Sequence, residues 1–258
     1  MELGIEDKVV LVTGGSSGLG RALCRTLAEE GARVALCGRD KDRLAAAESE
    51  LKTSGADAVG VVADVTRAED LNRFVDTATQ RWGRIDAIVN NAGRSAAKLV
   101  EESCDVDWED DIDLKLSSAV RLVRTALPWL RESRGSIVNV LAIGAKTPGA
   151  GSTPSSVSRA AGMALTKALS KELGKDGIRV NAVLVGLIES GQWERRAAES
   201  NVDLSSYYVA LGRDAGIPLG RVGKAQEFAD LVTLLLSERT SYVTGTAINI
   251  DGGLCDVV

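Results

Sequence analysis

The sequence predicts an α/β protein built on a doubly wound, parallel sheet of seven strands with helices on both faces. Three observations predict it. Short runs rich in β-branched residues alternate with stretches whose apolar residues recur every three or four positions. The strand-like runs are apolar almost throughout, as expected of strands covered on both faces by helical crossovers. No linker rich in Pro, Gly or Ser, and no charge block, divides the 258 residues, so 1–258 reads as one domain.

In order, the predicted strands are 9–12, 33–36, 59–62, 87–89, 136–140, 179–183 and 247–250. The first leads into a glycine-rich turn, 13–20, and a helix begins at Arg21. Helical periodicity then marks 44–51, 71–78, 119–130, 160–173 and 228–236, each lying between two strands. Only 187–218, after the sixth strand, lacks a clear period. A connection of that length inside a compact domain points to a substrate-covering lid, with a plain surface insertion as the competing reading.

Composition narrows the function classes. Apolar residues make up 45% of the chain, enough for a substantial core, and the net charge is −5 with Lys and Arg scattered. That distribution offers a polyanion no basic face, so nucleic acid is not expected as a partner. The amino terminus lacks the pattern of a signal peptide, and no run approaches a membrane span, so a soluble cytoplasmic protein is expected. Cys24, Cys37, Cys104 and Cys255 show no metal-ligand spacing and read as reduced thiols; no metal is expected. The chain has no histidine, which excludes Ser-His-Asp and Cys-His nucleophiles.

The turn Thr13-Gly14-Gly15-Ser16-Ser17-Gly18-Leu19-Gly20 sits between a strand and a helix. Glycines allow a tight bend and close backbone approach, while the helix start offers free N–H groups and positive dipole charge to a pyrophosphate. After the second strand comes Arg39, where a site preferring NAD would carry an acid against the ribose 2′-hydroxyl. An arginine there suits a 2′-phosphate and favours NADP over NAD; the competing reading is a solvated turn charge.

These motifs, with several more in the same order, resemble the short-chain dehydrogenase/reductase family over essentially the whole chain. Gly14, Ser16, Ser17, Gly18, Leu19 and Gly20 fall in the segment similar to its glycine motif, Asp64 and Val65 resemble its adenine-contacting pair, and Asn90-Asn91-Ala92-Gly93 matches its motif after the fourth strand. Residues 177–183, 218–221, 244–245 and 251–253 resemble its later segments. The resemblance implies a Rossmann-like fold, NAD(P) in the cleft, a small-molecule substrate and a homo-oligomer, dimer or tetramer. It also implies cofactor contacts at Asn91, Ala92 and Gly93, and at Gly186, Ile188 and Ser190 in a segment where Val185 replaces the family's Pro.

The catalytic positions depart from the family. Its proton-donating Tyr, the Lys four residues later, the carbonyl-orienting Ser and the relay Asn align with Ser155, Arg159, Ala142 and Lys115. An aliphatic hydroxyl is a far weaker acid than a phenol, and an arginine does not surrender its proton. Lys115, if desolvated beside Arg159, would have a lowered pKa and could replace the missing donor; the alternative is a solvated pair with Asp111 or Asp113. Trp193, with Gln192, is expected either at a substrate pocket or anchoring a lid helix. The function that follows is an NADP(H)-dependent oxidoreductase acting on a carbonyl or alcohol through a non-standard site. The alternatives are a non-catalytic NADP-binding sensor or scaffold, and a redox-neutral lyase, isomerase or cyclase.

Overall fold

The computed structural model describes residues 2–258, apart from the side chains of Gln192 and Arg195. Seven strands, β1 (Val9–Thr13), β2 (Arg33–Gly38), β3 (Ala58–Val62), β4 (Ala87–Asn90), β5 (Ser136–Ala142), β6 (Arg179–Val185) and β7 (Ala247–Ile250), form one sheet in the order β3-β2-β1-β4-β5-β6-β7. Every neighbouring pair is parallel, so each connection is a crossover that lays helix on the sheet. The expected strands are all present, most of them longer by one or two residues.

Strand alternation divides the core. Val10 and Val12 of β1, Val34 and Leu36 of β2 and Val138 of β5 point to one face, covered by α1 (Gly18–Glu29), α2 (Lys41–Thr53) and α9 (Ala225–Leu236). Val9, Leu11, Ala35 and Ile137 point to the other, covered by α3 (Ala68–Trp82), α5 (Ser118–Ser133) and the carboxyl-terminal turn of α6 (Ser155–Leu173). Nearly all these side chains are fully buried, and at about 25 cal/mol per Å² such burial is the main force holding helices to the sheet.

Two regions differ from expectation. The stretch before α5 is helical from Asp105: α4 (Asp105–Ile112) runs into a π-helical turn, Asp113–Ser117, whose end is marked by Ser118 N–H donating to the Asp113 carbonyl five residues back. Its acidic sequence carries too few apolar residues to show a period. Residues 187–218, which show no clear period in the sequence, contain α7 (Gly191–Glu199) and α8 (Leu204–Asp214), the latter capped by Asp203 accepting from Ser206 N–H. These short helices are mostly exposed, so the apolar spacing that reveals a core helix is diluted.

Candidate functional site

The strand order reverses between β1 and β4, and the crevice at the carboxyl ends of these strands is where a doubly wound sheet binds ligands. Two cavities of about 630 Å³ and 650 Å³ meet there, sharing Gly14, Ser17, Ala92, Gly93 and Arg94 in their walls.

Backbone builds the junction. Gly14 has φ +66°, and a Cβ on it would stand 3.1 Å from Ala92 Cα. A Cβ on Gly20 would lie only 2.3 Å from the Gly14 carbonyl oxygen, whereas Gly18 faces open space. The turn can therefore close tightly on one side and admit a ligand on the other. The Asn91 side chain locks it, donating to the carbonyls of Thr13 (2.8 Å) and Gly14 (3.2 Å), while the Thr13 hydroxyl accepts from the N–H groups of Asn91 and Ala92. Ser17 precedes α1 without a side-chain cap, which leaves the helix start available to an anion. Leu19 also lines the crevice. This cradle, narrowed by glycine and ending at a helix start, fits a dinucleotide pyrophosphate.

The cavity beyond the second strand is lined by Ser16, Arg39, Asp64 and Val65, together with Arg43. Asp64 accepts from the N–H and hydroxyl of Thr66, so its carboxylate shapes the loop as well as facing the cavity. Arg39 is largely exposed and lies 3.9 Å from Asp64, a loose contact that leaves its guanidinium free to meet a phosphate. Arg43, in the first turn of α2 and paired at 2.7 Å with Asp40 on the same wall, adds a second cation that was not singled out from sequence.

The other cavity holds the catalytic candidates. Ser155, at the start of α6, and Arg159, one turn later, both line it, as does Ala142 at the end of β5. Arg159 donates to the Val140 carbonyl at 3.1 Å and packs beneath Gly93. Lys115, in the π-helical turn, pairs with Asp111, as one expectation had it; Asp113 instead pairs with Arg121. The face is not solvated, however: the side chains of Lys115 and Asp111 are 4% and 1% exposed. Lys115 Nζ also donates to Ser155 Oγ at 2.8 Å, and the Ser158 hydroxyl donates to the second Asp111 oxygen at 2.6 Å. Burial first, and then the charge of Arg159, pushes the Lys115 ammonium down to about 8, against the opposing pull of Asp111.

Lys115 does not line the main cavity and meets it through Ser155. The Ser155 oxygen accepts from Lys115 and, at 2.8 Å, from the Ala96 N–H. A hydroxyl oxygen has two acceptor sites. Both are taken, so its own O–H remains to donate.

Gly186 packs against Asp251, where a Cβ would meet another at 2.6 Å. The flanking Leu187 and Glu189 backbone groups pair with Gly223, leaving the N–H and carbonyl of Ile188 without partners among the described residues. Ser190 precedes α7, and Trp193 on that helix both lines the cavity and carries the Arg196 guanidinium 4.9 Å above its ring. The side chain of Gln192 lies outside the described residues. Sequence reading did not single out Asp111, Ser158, Arg94 or Arg196 as site residues. The i,i+4 spacing of Asp111 and Lys115 was a visible signal, but the burial that gives it meaning was not. Among the described residues no cluster of metal-ligating side chains occurs, and no helix is long and apolar enough to cross a membrane.

Comparison with known proteins adds three findings. The family described as Enoyl-(Acyl carrier protein) reductase matches residues 14–255. The chain is 38% identical to the granaticin polyketide synthase putative ketoacyl reductase 1 of Streptomyces violaceoruber, over 95% of this chain and 92% of that protein. Two solved structures superpose closely. An NADPH-bound short chain oxidoreductase from Pseudomonas aeruginosa PAO1, described as containing an atypical catalytic center, has a TM-score of 0.93 and 37% identity over 98% of this chain and all of that one. The L-sorbose reductase from Gluconobacter frateurii, complexed with NADPH and L-sorbose, has a TM-score of 0.94 and 33% identity over the whole of both chains.

Proposed function

Since this chain belongs to the short-chain dehydrogenase/reductase family, we propose that it is an NADP(H)-dependent oxidoreductase interconverting a carbonyl and an alcohol, with Ser155 and Lys115 relaying the proton. The cofactor preference is supported by Arg39 and Arg43 at the cavity beyond the glycine turn and by the NADPH-bound relatives. The single observation that carries the relay is the Ser155 hydroxyl, which accepts twice from the protein and lines the cavity with its own proton left to give.

When bound, NADPH supplies hydride to the carbonyl carbon. The glycine turn and the start of α1 would hold its pyrophosphate, Arg39 and Arg43 its 2′-phosphate, and Arg159 its nicotinamide ribose. Ser155 donates to the carbonyl oxygen. As negative charge grows on that oxygen, the serine proton moves to it and a Lys115 proton moves onto Ser155 Oγ. The serine is thus never left as an alkoxide, which removes the objection that its hydroxyl is a weak acid. Lys115 ends neutral, and a pKa near the working pH makes it an efficient donor. Asp111, held by Ser158, fixes the lysine in register. Ala142 offers the carbonyl no second hydroxyl from its position. Residues 187–218 cover the substrate side, and the assembly is a homo-oligomer as in the family at large.

The test is titration of the purified chain with NADPH and NADH by fluorescence, followed by a carbonyl panel watched for loss of nicotinamide absorbance. Tighter binding of NADPH with turnover is expected. Binding without turnover across the panel, between pH 6 and 8, would overturn the oxidoreductase reading in favour of a nucleotide-binding sensor.

A further inference from the structure

We propose that the substrate carries an oxyanion group, a carboxylate or a phosphate, which Arg196 of α7 holds while the reacting carbonyl meets Ser155. This inference rests on the oxidoreductase reading above and specifies its substrate class.

The cavity that holds Ser155 extends from the glycine turn to α7 and is lined, among the described residues, by Arg94, Arg159 and Arg196 and by no Asp or Glu, in a chain whose acidic residues outnumber its basic ones by 36 to 31. Elsewhere the arginines are mostly neutralised: Arg84 by Asp86, Arg81 by Asp57, Arg121 by Asp113 and Arg221 by Glu227. The three in the cavity have different commitments. Arg159 donates to the Val140 carbonyl and is packed beneath Gly93. Arg94 lines both cavities, next to the glycine turn, where cofactor phosphates fall. Arg196 lines only the cavity that holds Ser155, beside Trp193 on α7.

Arg196 has no hydrogen-bond acceptor or carboxylate partner among the described residues; its recorded contact is the face of Trp193. Stacking on an aromatic ring restrains a guanidinium without using its in-plane N–H donors. Those donors form a fork that matches two oxygens of a carboxylate or phosphate. An unneutralised arginine, held by an aromatic platform that itself lines the cavity, is a receptor for an anion entering that cavity. With no lining carboxylate, nothing in the wall competes for it, and a neutral carbonyl compound would gain nothing from the arrangement.

The test is calorimetric binding to the NADPH-saturated full chain, using benzoylformate, its methyl ester and phenyl phosphate as probes, with Arg196→Gln and Arg196→Lys variants. Benzoylformate or phenyl phosphate should bind at least about tenfold more tightly than the ester, a difference of 1.4 kcal/mol. Which of the two wins assigns carboxylate or phosphate. Arg196→Gln should erase the preference and Arg196→Lys restore part of it, with NADPH affinity unchanged in both. Equal binding of acid and ester, absence of binding by either anion, or a preference that survives Arg196→Gln would each overturn the proposal. Turnover is read separately. An intact anion preference without NADPH oxidation by any carbonyl would sink the oxidoreductase reading alone, and NADPH oxidation with no anion preference would sink this inference alone.

Discussion

The two sides of the crevice are built from different materials. On the nucleotide side, recognition is a matter of backbone and of space: Gly14, Gly18 and Gly20 shape a turn, and Asn91 and Thr13 bolt it to the fourth strand. On the other side, side chains from two helical segments build a hydrogen-bonded network, with Asp111 and Lys115 on one and Ser155 and Ser158 on the other, beside Arg159. A backbone cradle has few permitted alternatives, because an atom added at Gly14 or Gly20 strikes the chain itself. A side-chain network can be exchanged as a set, provided that donors, acceptors and charges still close. The glycine turn is accordingly fixed by contacts with its own chain, while Asp111, Lys115, Ser155 and Ser158 satisfy one another as a set.

Three perturbations would sharpen or break that contrast. The largest effect is expected of Gly20→Val, whose Cβ would come within 2.3 Å of the Gly14 carbonyl. NADPH binding should fall beyond detection in a fluorescence titration, with far-ultraviolet circular dichroism confirming a folded chain; retained binding would mean that the turn is not the cradle. Next is the relay. Ser155→Ala should lower reductive kcat by ~10²- to 10⁴-fold, the usual worth of a general acid, while NADPH affinity stays within about twofold. In the wild type, reductive kcat should decline as pH rises through about 8, because Lys115 must be protonated to donate and loses its proton there. Lys115→Met paired with Asp111→Asn, which avoids leaving a lone buried carboxylate, should abolish that decline. A pH profile unchanged by the double substitution would remove Lys115 from the reaction. The smallest effect is expected of Arg39→Ala: about a tenfold loss of NADPH affinity with NADH unaffected, since Arg39 is exposed and screened. Equal losses for both nucleotides would show that Arg39 does not read the 2′-phosphate.

The same contrast explains what could be read from the sequence. The cradle is contiguous, eight residues between a strand and a helix, and the strands announce themselves by apolar runs. The substituted positions Lys115, Ser155 and Arg159 were also legible, because flanking motifs fix the alignment. Their cooperation was not, since Lys115 and Ser155 stand 40 residues apart and meet only once α4, the π-helical turn and α6 have packed. Nothing in the composition around Asp111 distinguishes a buried carboxylate from a solvated one. A lid helix at Trp193 was one reading of the sequence, but the bounds of α7 and the whole of α8 escaped notice because few of their described residues are buried, although the Asp203 cap was a visible start signal.

The π-helical turn at Asp113–Ser117 sets the direction of Lys115, which lies inside it. It holds one residue more than a regular α-helical turn, and each residue of an α-helix rotates the chain by about 100° about the axis. Deleting a single residue within it would restore an ordinary helix with α4 and α5 still nearly in phase, because the wider turn winds less per residue, and would re-aim only the side chains inside the turn, Lys115 among them. Neither flanking helix need move for the Asp111 carboxylate and the Lys115 ammonium to come apart. For this enzyme a one-residue change in length is a harsher genetic event than most substitutions in the same stretch, and natural length variation between residues 105 and 133 would be expected to track changes in the proton-donating residues themselves.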